Sequence, residues 1–211
     1  MALTLAVVPL QTPGMGKRRL AGALDPEQRA LLASAMLADV AASLASAGVD
    51  EVVVAAAGSR AEGVARGLGL DTVLDPVGRP GLNPVLAAAT RRLGADRPQL
   101  IAAADLPCLT SADVVAVMDA DAEVVVAPTS GGGTGLLLRR PASLIATAYG
   151  PGSAERHLML ARDVGVRAAV VERVGCEHDV DTLSDLAALL ELEPGPATAL
   201  ALPHLLGRRA S

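Results

Sequence analysis

The run from Leu100 to Ala104 is apolar at every position and too short to be a core helix. A stretch this short, apolar on both faces, reads as a strand covered by helices above and below, as in the centre of a parallel sheet. It stops at Asp105, and Pro107 has no N–H with which to continue a ladder. The same alternation of short apolar runs and amphipathic stretches fills the chain. Strands are expected at 3–8, 51–57, 71–74, 100–104, 123–127, 136–138 and 168–171, with helices between them. This pattern implies an α/β three-layer sandwich built on a mostly parallel mixed sheet. No linker divides the 211 residues, so one domain spanning 1–211 is expected.

Local signals place the helix ends. Asp25-Pro26 with Gln28 forms a capping-box pattern, Leu32, Met36, Val40 and Leu44 make an apolar stripe, and Gly48 stops the helix. Thr110 and Asp113 cap another helix. Further helices are expected near 61–68, 84–93, 141–148, 153–164 and 183–192, with one more in the tail from 195 to 211.

Composition narrows the function classes. The chain is 51% hydrophobic, yet it has no Phe or Trp and only Tyr149, so the core must be Ala, Val and Leu. Nothing is available on which nucleobases could stack in series, and a net charge of −5 opposes a broad phosphate-tracking face; nucleic acid is not an expected partner. Two cysteines, Cys108 and Cys176, make no disulfide framework and suit a reducing cytoplasm. Cys176 and His178 are too few for a zinc site. No signal peptide, membrane span or internal repeat is read, so a cytoplasmic location and no membrane partner are expected.

The chemistry-bearing residues cluster around strand ends. In open α/β sheets, ligands bind beyond the carboxyl ends of the strands. Asp105 stands at such an end, where it can hold a hard cation such as Mg2+ or simply open a turn. Asp179 and Asp181 flank Val180, so on an extended segment both carboxylates point to one face. Two carboxylates so placed repel unless a cation lies between them. Asp181 or Thr182 can cap the following helix with Asp185 as partner, which explains one carboxylate and not both. Beside the Asp105 strand, the three would form an oxygen-donor metal site.

The first strand opens into a loop holding Gly14, Gly16, Lys17, Arg18 and Arg19. It is not a Walker A loop, which needs glycine at Gln11 and Ser or Thr at Arg18, nor a dinucleotide fingerprint. A cationic glycine loop after a strand suits phosphates through backbone amides and basic side chains, with Gly14, Lys17 and Arg19 as the contacts. Asn83 either caps its helix or offers its amide to a base or ribose. Thr134 follows three glycines, and Gly150 and Ser153 precede a helix whose first N–H groups favour an anion. Ser153 can serve as cap, as anion contact, or as both. No nucleophile and base pair stands out, and phosphoryl or nucleotidyl transfer needs none, because positioning and charge neutralisation do most of the work.

In order, the chain presents Gly16-Lys17-Arg18-Arg19-Leu20, Gly81-Leu82-Asn83, Ala104-Asp105-Leu106-Pro107, Gly131-Gly132-Gly133-Thr134-Gly135, Gly150-Pro151-Gly152-Ser153 and Asp179-Val180-Asp181-Thr182. This ordered set, with the tail at Gly195-Pro196, resembles the phosphoenolpyruvate / 2-phospho-L-lactate guanylyltransferases of coenzyme F-420 biosynthesis. The resemblance implies a nucleotide-diphospho-sugar transferase fold, the glycosyltransferase-A-like arrangement. It also implies that a phosphorylated three-carbon acid attacks the α-phosphate of GTP and expels pyrophosphate. Carried over by position, Asp105, Asp179 and Asp181 would hold Mg2+, Thr134, Gly150 and Ser153 the acid, and Lys17 the triphosphate. A downstream transferase would take the unstable product; the oligomeric state stays open, a homodimer included. Two departures stand out. Gln11 replaces a lysine usual in the family, and Thr129 and Ser130 replace a basic residue before the glycine cluster. The competing expectations are a molybdopterin guanylyltransferase or sugar-phosphate nucleotidyltransferase, and a catalytically inactive nucleotide-binding regulator on the same fold.

Overall fold

Among the described residues, the short apolar runs become one seven-stranded sheet with helices on both faces. The structure is a computed structural model and describes residues 4–12, 17–74 and 81–206. The strands are β1 (Leu5–Leu10), β2 (Glu51–Ala56), β3 (Asp71–Leu74), β4 (Gln99–Ala102), β5 (Val124–Pro128), β6 (Thr134–Arg139) and β7 (Ala168–Val170). The helices are α1 (Pro26–Ser46), α2 (Ser59–Gly67), α3 (Leu82–Leu93), α4 (Ser111–Asp119), α5 (Ser153–Asp163), α6 (Val174–Glu177), α7 (Leu183–Ala188) and α8 (Pro196–Leu206), with a 3-10 turn at Arg18–Leu20. The sheet order is β3-β2-β1-β4-β6-β5-β7. All neighbouring pairs are parallel except β4 with β6 and β5 with β6. This is the mostly parallel mixed sheet the alternation predicts.

Two topological facts position the site. The chain steps outward from β1 to β2 and β3, then returns to lay β4 on the other side of β1, so a switch point lies between β1 and β4. Crevices at such points are where α/β sheets bind ligands. Strand β6 runs antiparallel to β4, pairing Gln99 with Arg139 and Ala102 with Leu136. Its first residue, Thr134, therefore lies at the same sheet edge as the last residues of β1 and β4.

Period-two alternation divides the core. Ala6, Val8, Leu100, Ala102, Val125 and Leu136 face α1, α2 and α4, while Leu5, Val7, Ile101, Val124, Val126 and Leu137 face α3 and α5. A third cluster joins the outer side of α1, through Leu32, Ala35 and Met36, to Leu186, Leu189, Ala201, Leu202 and Leu205 around α7 and α8. Helix α1 is therefore covered on two sides, and this explains one correction. By length and apolar content α1 does meet the requirement for crossing a bilayer, contrary to the expectation that no stretch would. A helix apolar nearly all round is what burial between a sheet and other helices also demands.

The capping boxes at Asp25/Gln28 and Thr110/Asp113 form as their spacing predicts. Thr182 with Asp185 caps α7, so the cap uses the side chain of neither Asp179 nor Asp181, although Asp181 N–H also donates to Asp185 Oδ2 at 3.0 Å. The helix expected at 141–148 is absent. There the N–H groups of Ala142 and Ser143 donate to the carbonyls of Arg97 and Ala95, 2.9 and 2.8 Å away, rather than along a helix. Cys108 and Cys176 are both free.

Candidate active site

Strand β4 ends at Ala102 rather than at Ala104, and Asp105 lies three residues beyond it in a turn held by backbone contacts. Ala103 N–H donates to Gly135 O at 2.9 Å, Gly195 N–H to Pro107 O at 2.7 Å, and Val180 N–H to the carbonyl of Asp105 at 3.3 Å. The last of these lays the 178–181 segment against the Asp105 turn. Val180 is buried in the cluster beneath α1, which leaves Asp179 and Asp181 on the opposite side.

Lys17 enters this group with a left-handed backbone, φ +51°. Its Nζ donates to Asp105 Oδ2 at 2.8 Å, to the Val180 carbonyl, and to Asp181 Oδ1 at 3.4 Å. Burial opposes the ammonium charge, yet Asp105 and then Asp181 hold its pKa above the ordinary lysine value. Asp179 shows the converse. Burial first, then the charges of Asp105 and Asp181, push its carboxyl above the usual range. One ammonium does not balance three carboxylates.

Among the described residues, no three His, Cys, Asp or Glu side chains form a ready-made metal cage. The expected metal trio is thus modified in one respect: the gap between Asp105 and Asp181 holds the Lys17 ammonium. All three side chains offer carboxylate oxygens, the donor type a hard divalent ion takes, and the charges of Asp105 and Asp181 help raise the Asp179 carboxyl while Lys17 partly offsets them.

The acid-side residues meet across the same cavity, which has a volume of about 350 Å3 and is lined by Lys17, Asp105, Asp179, Asp181, Thr134, Gly150 and Ser153 together with Gln11, Thr12, Arg29, Met36, Thr129 and Tyr149. Thr134 Oγ1 and Ser153 Oγ are 2.9 Å apart. Gly133 permits the tight β5–β6 turn, because a Cβ there would lie 2.8 Å from Thr129 Oγ1. Two details differ from expectation. The N-cap of α5 is Gly152, in the left-handed region, and Ser153 is the first helical residue. Moreover, the N–H groups of Ser153 and Ala154 already donate to Gly150 O and Gly132 O, 3.1 and 3.3 Å away. The donors left for a ligand on this side include hydroxyls rather than those two amides.

A model of guanylyl transferases described as CofC-like matches residues 4–195. The chain belongs to this family. It is 37% identical to the phosphoenolpyruvate guanylyltransferase of Conexibacter woesei over 198 residues, covering 90% of this chain and 88% of that one. It is 34% identical to the 2-phospho-L-lactate guanylyltransferase of Methanothermobacter thermautotrophicus over 190 residues, covering 89% and 84%. Among solved structures, a proposed nucleotide-diphospho-sugar transferase from Desulfovibrio desulfuricans G20 superposes with a TM-score of 0.76 at 16% identity, covering 99% of this chain and 98% of that one. The fold is that of the nucleotidyltransferases.

Within this CofC-like chain, not every expected contact reaches the cavity. Arg19 is exposed and Asn83 lies outside the lining. The Asn83 amide bonds the backbone of Tyr149 in both directions, at 3.0 Å to its carbonyl and 2.8 Å from its N–H, and Gly81 rather than Asn83 is the cap of α3. Asn83 therefore ties α3 to the Tyr149-Gly150 segment. Gly14 falls outside the described residues. Gln11 and Thr129, two of the family departures, both line the cavity. Sequence reading missed His157, which stands 3.1 Å from Thr134 Oγ1. Its position four residues after Ser153, on the same face of α5, was the available signal.

Proposed function

We propose that the chain joins GMP from GTP to the phosphate of a small phosphorylated acid, phosphoenolpyruvate or 2-phospho-L-lactate, and releases pyrophosphate, as in the making of coenzyme F-420. The observation that carries this reading is that the Lys17–aspartate group and the Thr134–Ser153 hydroxyl pair line one cavity at the sheet switch point. A charge-rich end for a triphosphate and a hydroxyl-lined end for an acid are what such a transfer needs. A phosphate oxygen of the acid forms the new bond to the α-phosphorus. The bond from that phosphorus to its bridging oxygen breaks, and the electron pair leaves with pyrophosphate. The attacking group is already an anion, so no general base is required.

In this reading, Asp105, Asp179 and Asp181 hold Mg2+, which supplies charge neutralisation for the phosphates when bound. Lys17 adds a positive charge fixed by its three oxygen contacts. Thr134, Gly150 and Ser153 receive the acid's carboxylate or phosphate. Arg29 lines the same cavity and is a further cationic contact. A cytoplasmic location goes with this reading, as does a partner transferase that accepts the product.

The test is pyrophosphate release from GTP and Mg2+ with phosphoenolpyruvate, 2-phospho-L-lactate, 3-phosphoglycerate, molybdopterin or a sugar phosphate. Release with one of the first two acids alone is expected. Release only with molybdopterin or a sugar phosphate would sink the reading, and Mg2+-dependent GTP binding without turnover of any acceptor would favour a regulator. Adding the deazaflavin acceptor and its transferase traps a short-lived product.

A further inference from the structure

His157 is fully buried, and both of its ring nitrogens have partners. Ala148 N–H donates to Nε2 at 2.9 Å, so Nε2 must carry the lone pair. The neutral ring then carries its proton on Nδ1, 3.1 Å from Thr134 Oγ1, and Thr134 accepts that hydrogen bond. A backbone N–H can only donate, so this polarity is fixed as long as Ala148 stays in place. Ala148 is anchored through its own carbonyl, in the following peptide, which accepts from Arg156 Nε at 3.0 Å and Nη2 at 2.7 Å. Tyr149 packs edge-on against the imidazole with ring centres 5.1 Å apart, which fixes the ring plane.

The consequence follows from counting protons. Thr134 and Ser153 carry two hydroxyl protons, and the single bond between them uses one. Because Thr134 accepts from His157, it cannot spend its own proton there. One hydroxyl proton of the pair is left over, and both side chains line the cavity. We propose that His157 is a positioning residue: through its Nδ1–H tautomer it polarises the Thr134–Ser153 pair so that one hydroxyl donates into the cavity, selecting a ligand oxygen that accepts, such as a carboxylate or phosphate oxygen of the acid substrate. The inference rests on the proposed acid transfer for the identity of that ligand, but the tautomer itself does not.

The ring's surroundings keep it neutral. Burial first, then the charges of Arg139 on β6 and Arg156 on α5, bring its pKa down to about 4. Tyr149 is the other titratable group against it, and burial keeps that phenol protonated by raising its pKa. A protonated ring would set Nε2–H against Ala148 N–H.

Two measurements test this. Nitrogen NMR of the histidine side chains in the ligand-free protein at pH 7 should find His157 protonated on Nδ1 and bare on Nε2. The reverse tautomer, or a charged ring, overturns the proposal whatever the acid turns out to be. Steady-state kinetics then compare His157→Gln and His157→Asn. Gln places an amide near the Nε2 position and loses the bond to Thr134, while Asn places one near Nδ1 and keeps a donor there. His157→Gln should raise the acid KM about tenfold or more with the GTP KM within about twofold, and His157→Asn should restore much of the loss. Both variants lose the same buried ring, so a merely structural role would lower their melting temperatures alike and shift both KM values together; that result overturns the proposal. If the wild-type protein turns over no acid, the proposed function fails, while the NMR result still decides the tautomer.

Discussion

Asp179 is held in the folded chain against its own charge. Burial and the carboxylates of Asp105 and Asp181 raise its pKa, so at neutral pH the folded state is penalised relative to the unfolded chain. The sign is definite. An acid whose folded pKa lies above its unfolded value destabilises at pH above both, and the penalty fades as pH falls through the folded value. Asp179→Asn should therefore leave the melting temperature unchanged or raise it at pH 8, with the difference shrinking towards pH 4. If Asp179 holds Mg2+ as proposed, the same change should lower turnover on the order of a hundredfold. A melting temperature lower than wild type at pH 8 would show that Asp179 is a structural anchor instead. Lys17 poses the complementary test. Lys17→Met leaves Asp105 and Asp181 facing one another without the ammonium now 2.8 and 3.4 Å from them. Its melting temperature at pH 8 should fall, and added Mg2+ should recover more of it than Mg2+ gives the wild type. Equal Mg2+ shifts in the two proteins would mean that metal and ammonium do not share the carboxylates.

At the scale of elements, α8 depends on a residue far away in sequence. Asp39, buried on α1, accepts from Ala197 N–H at 2.9 Å and Thr198 N–H at 2.8 Å, capping a helix that starts on Pro196. Gly195 makes room for this, since a Cβ there would lie 2.3 Å from Asp39 Cγ. Asp39→Ala removes the cap and leaves two amides unpaired, one of them on buried Thr198. A loss of about 2–3 kcal/mol follows, or roughly 5–10 °C in melting temperature for a chain of this size. Calorimetry checks it, and a change under about 1 °C would show that the cap contributes little. The three capping boxes at Asp25, Thr110 and Thr182 were readable beforehand, because each links residues three apart. The cap from Asp39 was not, because it links residues 158 and 159 apart.

For the whole molecule, α8 also closes the cavity edge indirectly. It covers Leu32 and Met36 through Ala201, Leu202 and Leu205, and the segment before it bonds the Asp105 turn through Gly195 N–H to Pro107 O. A chain ending at Glu193 should lose several kcal/mol of apolar burial and unfold without a sharp calorimetric transition. It should also lose turnover, and retention of wild-type turnover would separate α8 from the site. The alternation of apolar runs, the capping boxes and the single-face geometry of Asp179 and Asp181 were determined by the sequence itself, since each depends on neighbours within a few residues. The α/β class followed from those, as did the placing of Asp105 beyond the carboxyl end of a strand, although β4 stops at Ala102 and Asp105 lies in the turn after it. Only the tertiary structure decided that β6 enters antiparallel between β4 and β5, which brings Thr134 to the edge where β1 and β4 end. It also decided that the 141–148 segment spends N–H groups on residues 95 and 97 instead of a helix, and that Asn83 serves Tyr149. Lys17 meets Asp105 and Asp181 across 88 and 164 residues of chain. Such contacts carry no periodicity and no local hydrogen bond, so they exist only once the sheet has fixed which distant residues share an edge.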